Sequence, residues 1–311
     1  MTSISVVDAA RDAVQHTRRH LLPVNPLKWL VLGFLAFLDQ CGRGLAGGGP
    51  HGNANVQPWH GSHEGGRVMD QITDMARALS GWLSDHALLV TLGAVAGVLA
   101  IAGLLAVVLW INARGTFVYL DNVASGRAEV ARPWREHAGP AWSYFGWRLA
   151  LSLGSFVAFL LFAGIMLASV VGLLTGRLNG SGGGLALLAL FPVVMALFVV
   201  APLLVLAHVA LRDFVAPLQM ITGQSCGASV RLLETLVTEN PGPFLVYALL
   251  KVLLVAGIAV VVVVGGCLTC CLGFLPVVRQ TVFQPLYYFE RSWPLFLLRR
   301  MGHDLPGRWA A

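Results

Sequence analysis

The chain is 311 residues long, 57% hydrophobic and only 12% charged, with a mean hydropathy of +0.73. A water-soluble domain carries about 25% charged residues. Here the charge is missing from whole blocks, which excludes the soluble globular classes and places the chain among membrane proteins. A net charge of +6 does not indicate nucleic acid, because the arginines stand beside apolar runs, where they set topology and meet lipid phosphate.

Residues 1–26 read as an amphipathic segment on the cytoplasmic surface, with Ile4, Val6, Val7, Ala10 and Val14 opposite Arg11, Arg18 and Arg19. Asp8, Asp12 and the lack of a small-residue cleavage site argue against a signal peptide. Residues 27–47 are expected as a first transmembrane segment, short enough to be re-entrant instead. Their apolar core, Leu27 to Leu38, rises only about 18 Å against a hydrocarbon thickness of about 30 Å. Residues 48–86 form an extracytoplasmic loop rich in Gly and His, closing on an amphipathic helix with Ile72, Met75, Leu79 and Trp82 at helical spacing.

A pattern of span, elbow and span then occurs twice, over 87–175 and 185–266, separated by an outer loop at 176–184. The elbows, 114–148 and 212–251, fall into register. Phe117-Val118 meets Phe214-Val215, Gly126 meets Gly223, and Gly139-Pro140 meets Gly242-Pro243. Gly126 and Gly223 are expected to end or turn their helices. The last span is read over 267–290 and a cytoplasmic tail over 291–311. The fold class is therefore all-α, with about six transmembrane helices, parallel internal repeats and cytoplasmic amphipathic elbow helices. With the N-terminus inside, sixteen of the 21 Lys and Arg residues fall in inner segments, four in outer ones and Arg279 in the last span. The excess puts both termini in the cytoplasm of a bacterial inner membrane.

The stretches Phe117-Val-Tyr-Leu-Asp121-Asn122-Val-Ala-Ser-Gly126-Arg127-Ala128, Pro133-Trp134-Arg135-Glu136, Glu239-Asn240-Pro241-Gly242-Pro243-Phe244 and Cys267-Leu-Thr-Cys270-Cys271-Leu resemble an uncharacterised family of bacterial multi-pass membrane proteins. That family is loosely grouped with the membrane domains attached to glycerophosphodiester phosphodiesterases. The resemblance covers most of the chain after residue 27. It implies a helical inner-membrane protein without an established activity, and no phosphodiesterase catalytic domain is present.

Several residues are candidates for a role. Arg279, with Gln280 and Gln284, would lie near mid-bilayer in the last span, where an arginine costs about 2.5–3.5 kcal/mol and needs a partner, water or a phosphate. A polar intramembrane site and a snorkelling or structural arginine are both open readings. Cys267 and Cys270 have disulfide or redox spacing without a βαβ context, so a disulfide or simple packing fits better than catalysis. His51, His60 and His63 are imidazoles in a Gly-rich loop that could hold a metal weakly. Asp121, Asn122, Arg127, Arg135 and Glu136 in the first elbow, and Arg231 and Glu234 in the second, form polar faces for headgroups or a partner. The spans are read as holding no acidic residue, so paired-carboxylate catalysis is not expected, nor is any cofactor or enzymatic activity. The expected role is a structural, accessory or scaffold subunit of a membrane assembly. Its partners would be the bilayer, anionic lipid, and another membrane protein or a second copy. The alternative is a transporter or channel for an anionic or lipid-like substrate at Arg279.

Overall fold

The computed structural model describes residues 4–41, 74, 82, 85–174, 181–268, 275 and 277–305. Every regular element among the described residues is a helix, and the chain falls into two units, 48–108 and the remainder. In the smaller unit, Trp82 stacks on His86 at 5.0 Å, and the described large apolar residues from Leu88 to Val107 are mostly exposed.

In the larger unit, α1 (Val6–Leu21) starts where the Ser5 hydroxyl accepts from Asp8 N at 3.2 Å, and it ends on Arg18, Arg19 and His20, which complement the helix dipole. Its buried face is Val6, Ala9, Ala13, Thr17 and Leu21, while Val7 and Val14 point outward. The bulky residues suggested a different face. Small alanines win because they let α1 lie close on α11 (Gln284–Arg300). Trp293 Nε1 donates to Val6 O at 3.2 Å, Arg300 pairs with Asp12 at 2.7 Å, and the His16 ring sits 5.3 Å from Phe296. Burial lowers the pKa of His16, and it lowers that of His20 to about 4, with His16, Lys28 and Arg19 adding to the effect.

Helix α2 (Pro26–Gln40) has Asn25 as its cap and proline in its first turn. It runs antiparallel to the later part of α3 (Ala87–Ser125) and is pinned at both ends. Lys28 Nζ donates to His20 O and Gly126 O, each at 2.8 Å. At the other end Asn112 Nδ2 donates to Leu38 O and Asp39 O, taking up carbonyls that a helix C-terminus leaves unsatisfied. Gly115 allows the approach, since a Cβ there would lie 2.6 Å from Leu38 Cβ.

After α3 come α4 (Ala131–Glu136), α5 (Ala138–Leu174) and α6 (Ser181–Ala210). A π-helical turn, Leu211–Val215, leads into α7 (Ala216–Thr222), followed by α8 (Cys226–Glu239) and α9 (Pro241–Leu268). Gly126 (φ 71°) and Gly223 (φ 68°) both adopt the left-handed conformation, and Gly223 caps α7.

Among the described residues four helices are long and apolar enough to cross a membrane: Ala87–Ser125, Ala138–Ser169, Val194–Thr222 and Pro241–Leu268. The two remaining segments read as spans look different. The 15 residues of α2 rise about 22 Å, and residues 42–47 lie outside the described set. The segment 267–290 holds the end of α9, a five-residue α10 (Val278–Val282) and the start of α11, with a break at Phe283. The segment read as a tail from 291 is the interior of α11, where Arg291 to Leu298 are all buried.

Candidate functional site

Six ionised side chains from four elements meet where α2, the π-turn, α9 and α11 converge, and each is at most 4% exposed. Arg212 is the hub. Its Nε donates to Asp39 Oδ2 at 3.0 Å and Nη2 reaches the same oxygen, while Nη1 lies 3.1 Å from Glu290 Oε1 and 3.3 Å from Asp213 Oδ1. Lys251 Nζ pairs with Asp213 Oδ2 at 2.7 Å and Glu290 Oε1 at 3.2 Å. Tyr247, one turn before Lys251, donates its hydroxyl to Asp213 Oδ2 at 2.8 Å. Arg291 closes the set by donating to Arg212 O at 2.6 Å, with its Nη1 3.6 Å from Asp213 Oδ1.

Three cations (Arg212, Lys251, Arg291) face three carboxylates (Asp39, Asp213, Glu290), so the buried cluster is neutral. Burying an ion costs several kcal/mol, offset only when partners and hydrogen bonds are complete. Here each carboxylate touches a guanidinium and two also touch the ammonium, while Arg291 Nε is left buried without a hydrogen-bond partner among the described residues. The arrangement therefore ties four elements into one rigid junction.

The π-turn explains how consecutive residues share this junction. In an α-helix neighbours diverge by about 100°, and a π-turn narrows that angle and widens the helix. Arg212 and Asp213 can thus both point inward, and all five residues of the turn are buried. A second polar layer lies beside them. Gln284 Nε2 donates to the Tyr119 hydroxyl at 3.1 Å, and Tyr288 donates to Val123 O at 2.9 Å, a carbonyl also 2.7 Å from His16 Nε2.

The residues singled out from sequence do not gather here. Arg279 is half-exposed in α10 rather than central in a long apolar helix. Gln280 is buried, with Nε2 3.5 Å from Gln40 Oε1 and Oε1 accepting from Val277 N, and Gln284 belongs to the second layer. Asp121 and Asn122 are fully buried rather than presented on a surface. Asp121 lies 3.4 Å from both Arg132 and His137, and Asn122 staples the α3–α4 loop through Glu129 N at 2.6 Å and Glu129 O at 2.7 Å. Arg127, Arg135, Glu136, Arg231 and Glu234 are exposed. Cys267 is exposed in the last turn of α9, and Cys270, His51, His60 and His63 lie outside the described residues.

The reading that spans lack acidic residues is corrected. The helices run past the apolar blocks, so Asp121 and Asp213 fall within candidate spans. Among the described residues no group of three or more His, Cys, Asp or Glu is arranged to hold a metal.

No curated protein and no solved structure matches the chain. A family profile, by contrast, covers residues 4–301, nearly the whole sequence and every member of the ion cluster. The chain therefore belongs to a family of unknown function, DUF7544.

Proposed function

We propose that this chain is a structural or accessory subunit of a membrane assembly, held rigid by the ion cluster and offering its long helices to lipid and to other protein. One observation carries the reading. In the most apolar stretch of each candidate span, only 6, 0, 6 and 17% of the residues are buried. In a self-sufficient bundle each helix buries a face against its neighbours. Here burial is concentrated in the elbow segments and in α1, α2 and α11, and the apolar stretches of the long helices are left almost bare.

The finer placement is part of the proposal: a multi-pass bacterial inner-membrane protein, six crossings, elbows and termini cytoplasmic. Parallel repeats are supported by the matching order of long helix, left-handed glycine, short helix and Gly-Pro-led long helix around Gly126 and Gly223. The likeness to membrane domains attached to glycerophosphodiester phosphodiesterases implies no activity for this chain. A transporter or channel at Arg279 has less behind it, because Gln280 and Gln284 are engaged with Gln40 and Tyr119 instead of converging with Arg279.

The test is extraction from native membranes into lipid nanodiscs, with native mass spectrometry of the tagged chain. The expected species contains a second copy or another membrane protein at fixed stoichiometry. A chain that is monomeric at native expression, with no stoichiometric companion, overturns the proposal.

A further inference from the structure

The first turns of α5 hold a set of buried polar groups without partners. Tyr144, Arg148 and Ser152 are spaced four residues apart and so line one face of the helix. Tyr144 is fully buried and Arg148 is 3% exposed. The Tyr144 hydroxyl, Arg148 Nε and Ser152 Oγ are each inaccessible to solvent and lack a hydrogen-bond partner among the described residues. His208, on the neighbouring α6, joins them. Its Nδ1 lies 2.8 Å from Leu204 O, and its Nε2 is buried without a partner among the described residues.

The second elbow shows what is missing. Counted from Gly139-Pro140 and Gly242-Pro243, Tyr144 and Arg148 occupy the positions of Tyr247 and Lys251. Tyr247 and Lys251 both bind the Asp213 carboxylate, at 2.8 and 2.7 Å. In the first copy the same tyrosine–cation pair is buried, and no carboxylate among the described residues faces it. A guanidinium whose Nε is buried without a partner, with no counter-ion among the described residues, calls for an anion from outside the chain.

We propose that Tyr144, Arg148, Ser152 and His208 form a binding site for a phosphate oxyanion. Hydroxyls and a guanidinium donate, and phosphate is the acceptor that such a planar fork with neighbouring O–H groups suits best. The surroundings favour a lipid headgroup as the source. Trp142 (63% exposed) and Trp147 (47%) flank the site, and Leu153 and Phe156 begin the exposed apolar surface of α5 one to two turns beyond Arg148. Tryptophan at the edge of an apolar surface marks headgroup depth. The inference stands apart from the assembly proposal, since binding is scored on the isolated chain.

The test uses the full-length protein in a zwitterionic detergent. Its thermal stability and native mass spectrum are measured with phosphatidylglycerol, with phosphatidylcholine and with inorganic phosphate. The wild type is expected to retain one phospholipid per chain and to be stabilised by it. Arg148→Met should weaken binding about ten- to a hundredfold, the loss expected for a charge-assisted contact. Tyr144→Phe, which removes one hydroxyl, should weaken it about three- to tenfold, and carries the test if Arg148→Met does not fold. Stabilisation by phospholipid but not by inorganic phosphate identifies a lipid headgroup, and equal stabilisation by inorganic phosphate identifies a free anion. If neither probe distinguishes the folded variants from wild type, the site does not exist.

Discussion

Replacing Lys251 with methionine keeps the length and volume of the side chain and deletes one charge from the cluster. Lys251 is 4% exposed, and its ammonium makes two ion pairs, at 2.7 Å to Asp213 and 3.2 Å to Glu290. Without it three carboxylates share two guanidiniums, leaving one net negative charge buried. Breaking a buried pair in this way costs about 3–5 kcal/mol, against about 0–1 kcal/mol for a surface pair such as Arg11–Asp8. Asp213→Asn leaves the opposite imbalance and should cost a similar amount. The double variant is neutral again, so its cost should fall short of the sum of the singles by about 1–3 kcal/mol. Reversible unfolding in mixed detergent–SDS micelles measures all three, with Arg11→Gln as the surface control. A Lys251→Met cost no larger than that of Arg11→Gln, or strictly additive singles, would refute the neutral-junction account.

Acid should loosen α1. His16 and His20 have folded pKa values lowered by burial, His20 to about 4, against an ordinary value of 6.5. Stability is therefore full above pH 6.5, declines as pH falls towards 4, and levels off below. Hydrogen exchange of residues 6–21 should speed up between pH 7 and 5 relative to α8 once intrinsic rates are corrected, and an unchanged ratio counts against it. Gly33→Val should cost about 1–3 kcal/mol, because even a Cβ would lie 2.8 Å from the Thr281 backbone; unfolding as above reads it, and a neutral result contradicts the close crossing of α2 and α10. Cys226 should resist maleimide until the protein is denatured, because burial pushes its thiol up to about 12, while exposed Cys267 reacts in the native state. Mass mapping of the labelled peptides decides, and equal labelling of the two would contradict the burial of α8 on α5.

Much of the scaffold could be read from local chemistry. Four apolar blocks correspond to the four long helices, although the last block, with Lys251 and Arg279 in it, reads as two spans and holds one, and Gly126 and Gly223 sit at left-handed positions between helices because only glycine adopts that backbone without strain. The ion cluster was not legible, since its members lie 173 residues apart between Asp39 and Arg212 and 78 between Arg212 and Glu290. Each looked locally like a residue ending an apolar run or marking an inner loop. A usable signal existed all the same. Asp39, Asp213 and Glu290 are acids next to apolar blocks, where an unpaired carboxylate is costly, and matching them with Arg212, Lys251 and Arg291 would have proposed the junction. The partners of Glu290, Arg212 and Lys251, come from elsewhere in the chain. The buried face of α1 was missed for a different reason, because side-chain bulk pointed one way and close approach through alanine the other.

The π-turn at Leu211–Val215 also absorbs one residue without turning the helix on either side of it. Its wide loop of backbone accommodates a surplus residue, so trimming one amino acid there would let the helix relax to ordinary α geometry. The faces of α6 and α7 would then stay nearly as they are, because the wide turn spends one residue more to cover the same angle, whereas the same deletion within α6 would rotate everything before it by about 100°. What one codon decides is the turn itself, since without the extra residue Arg212 and Asp213 would diverge and one of them would leave the junction.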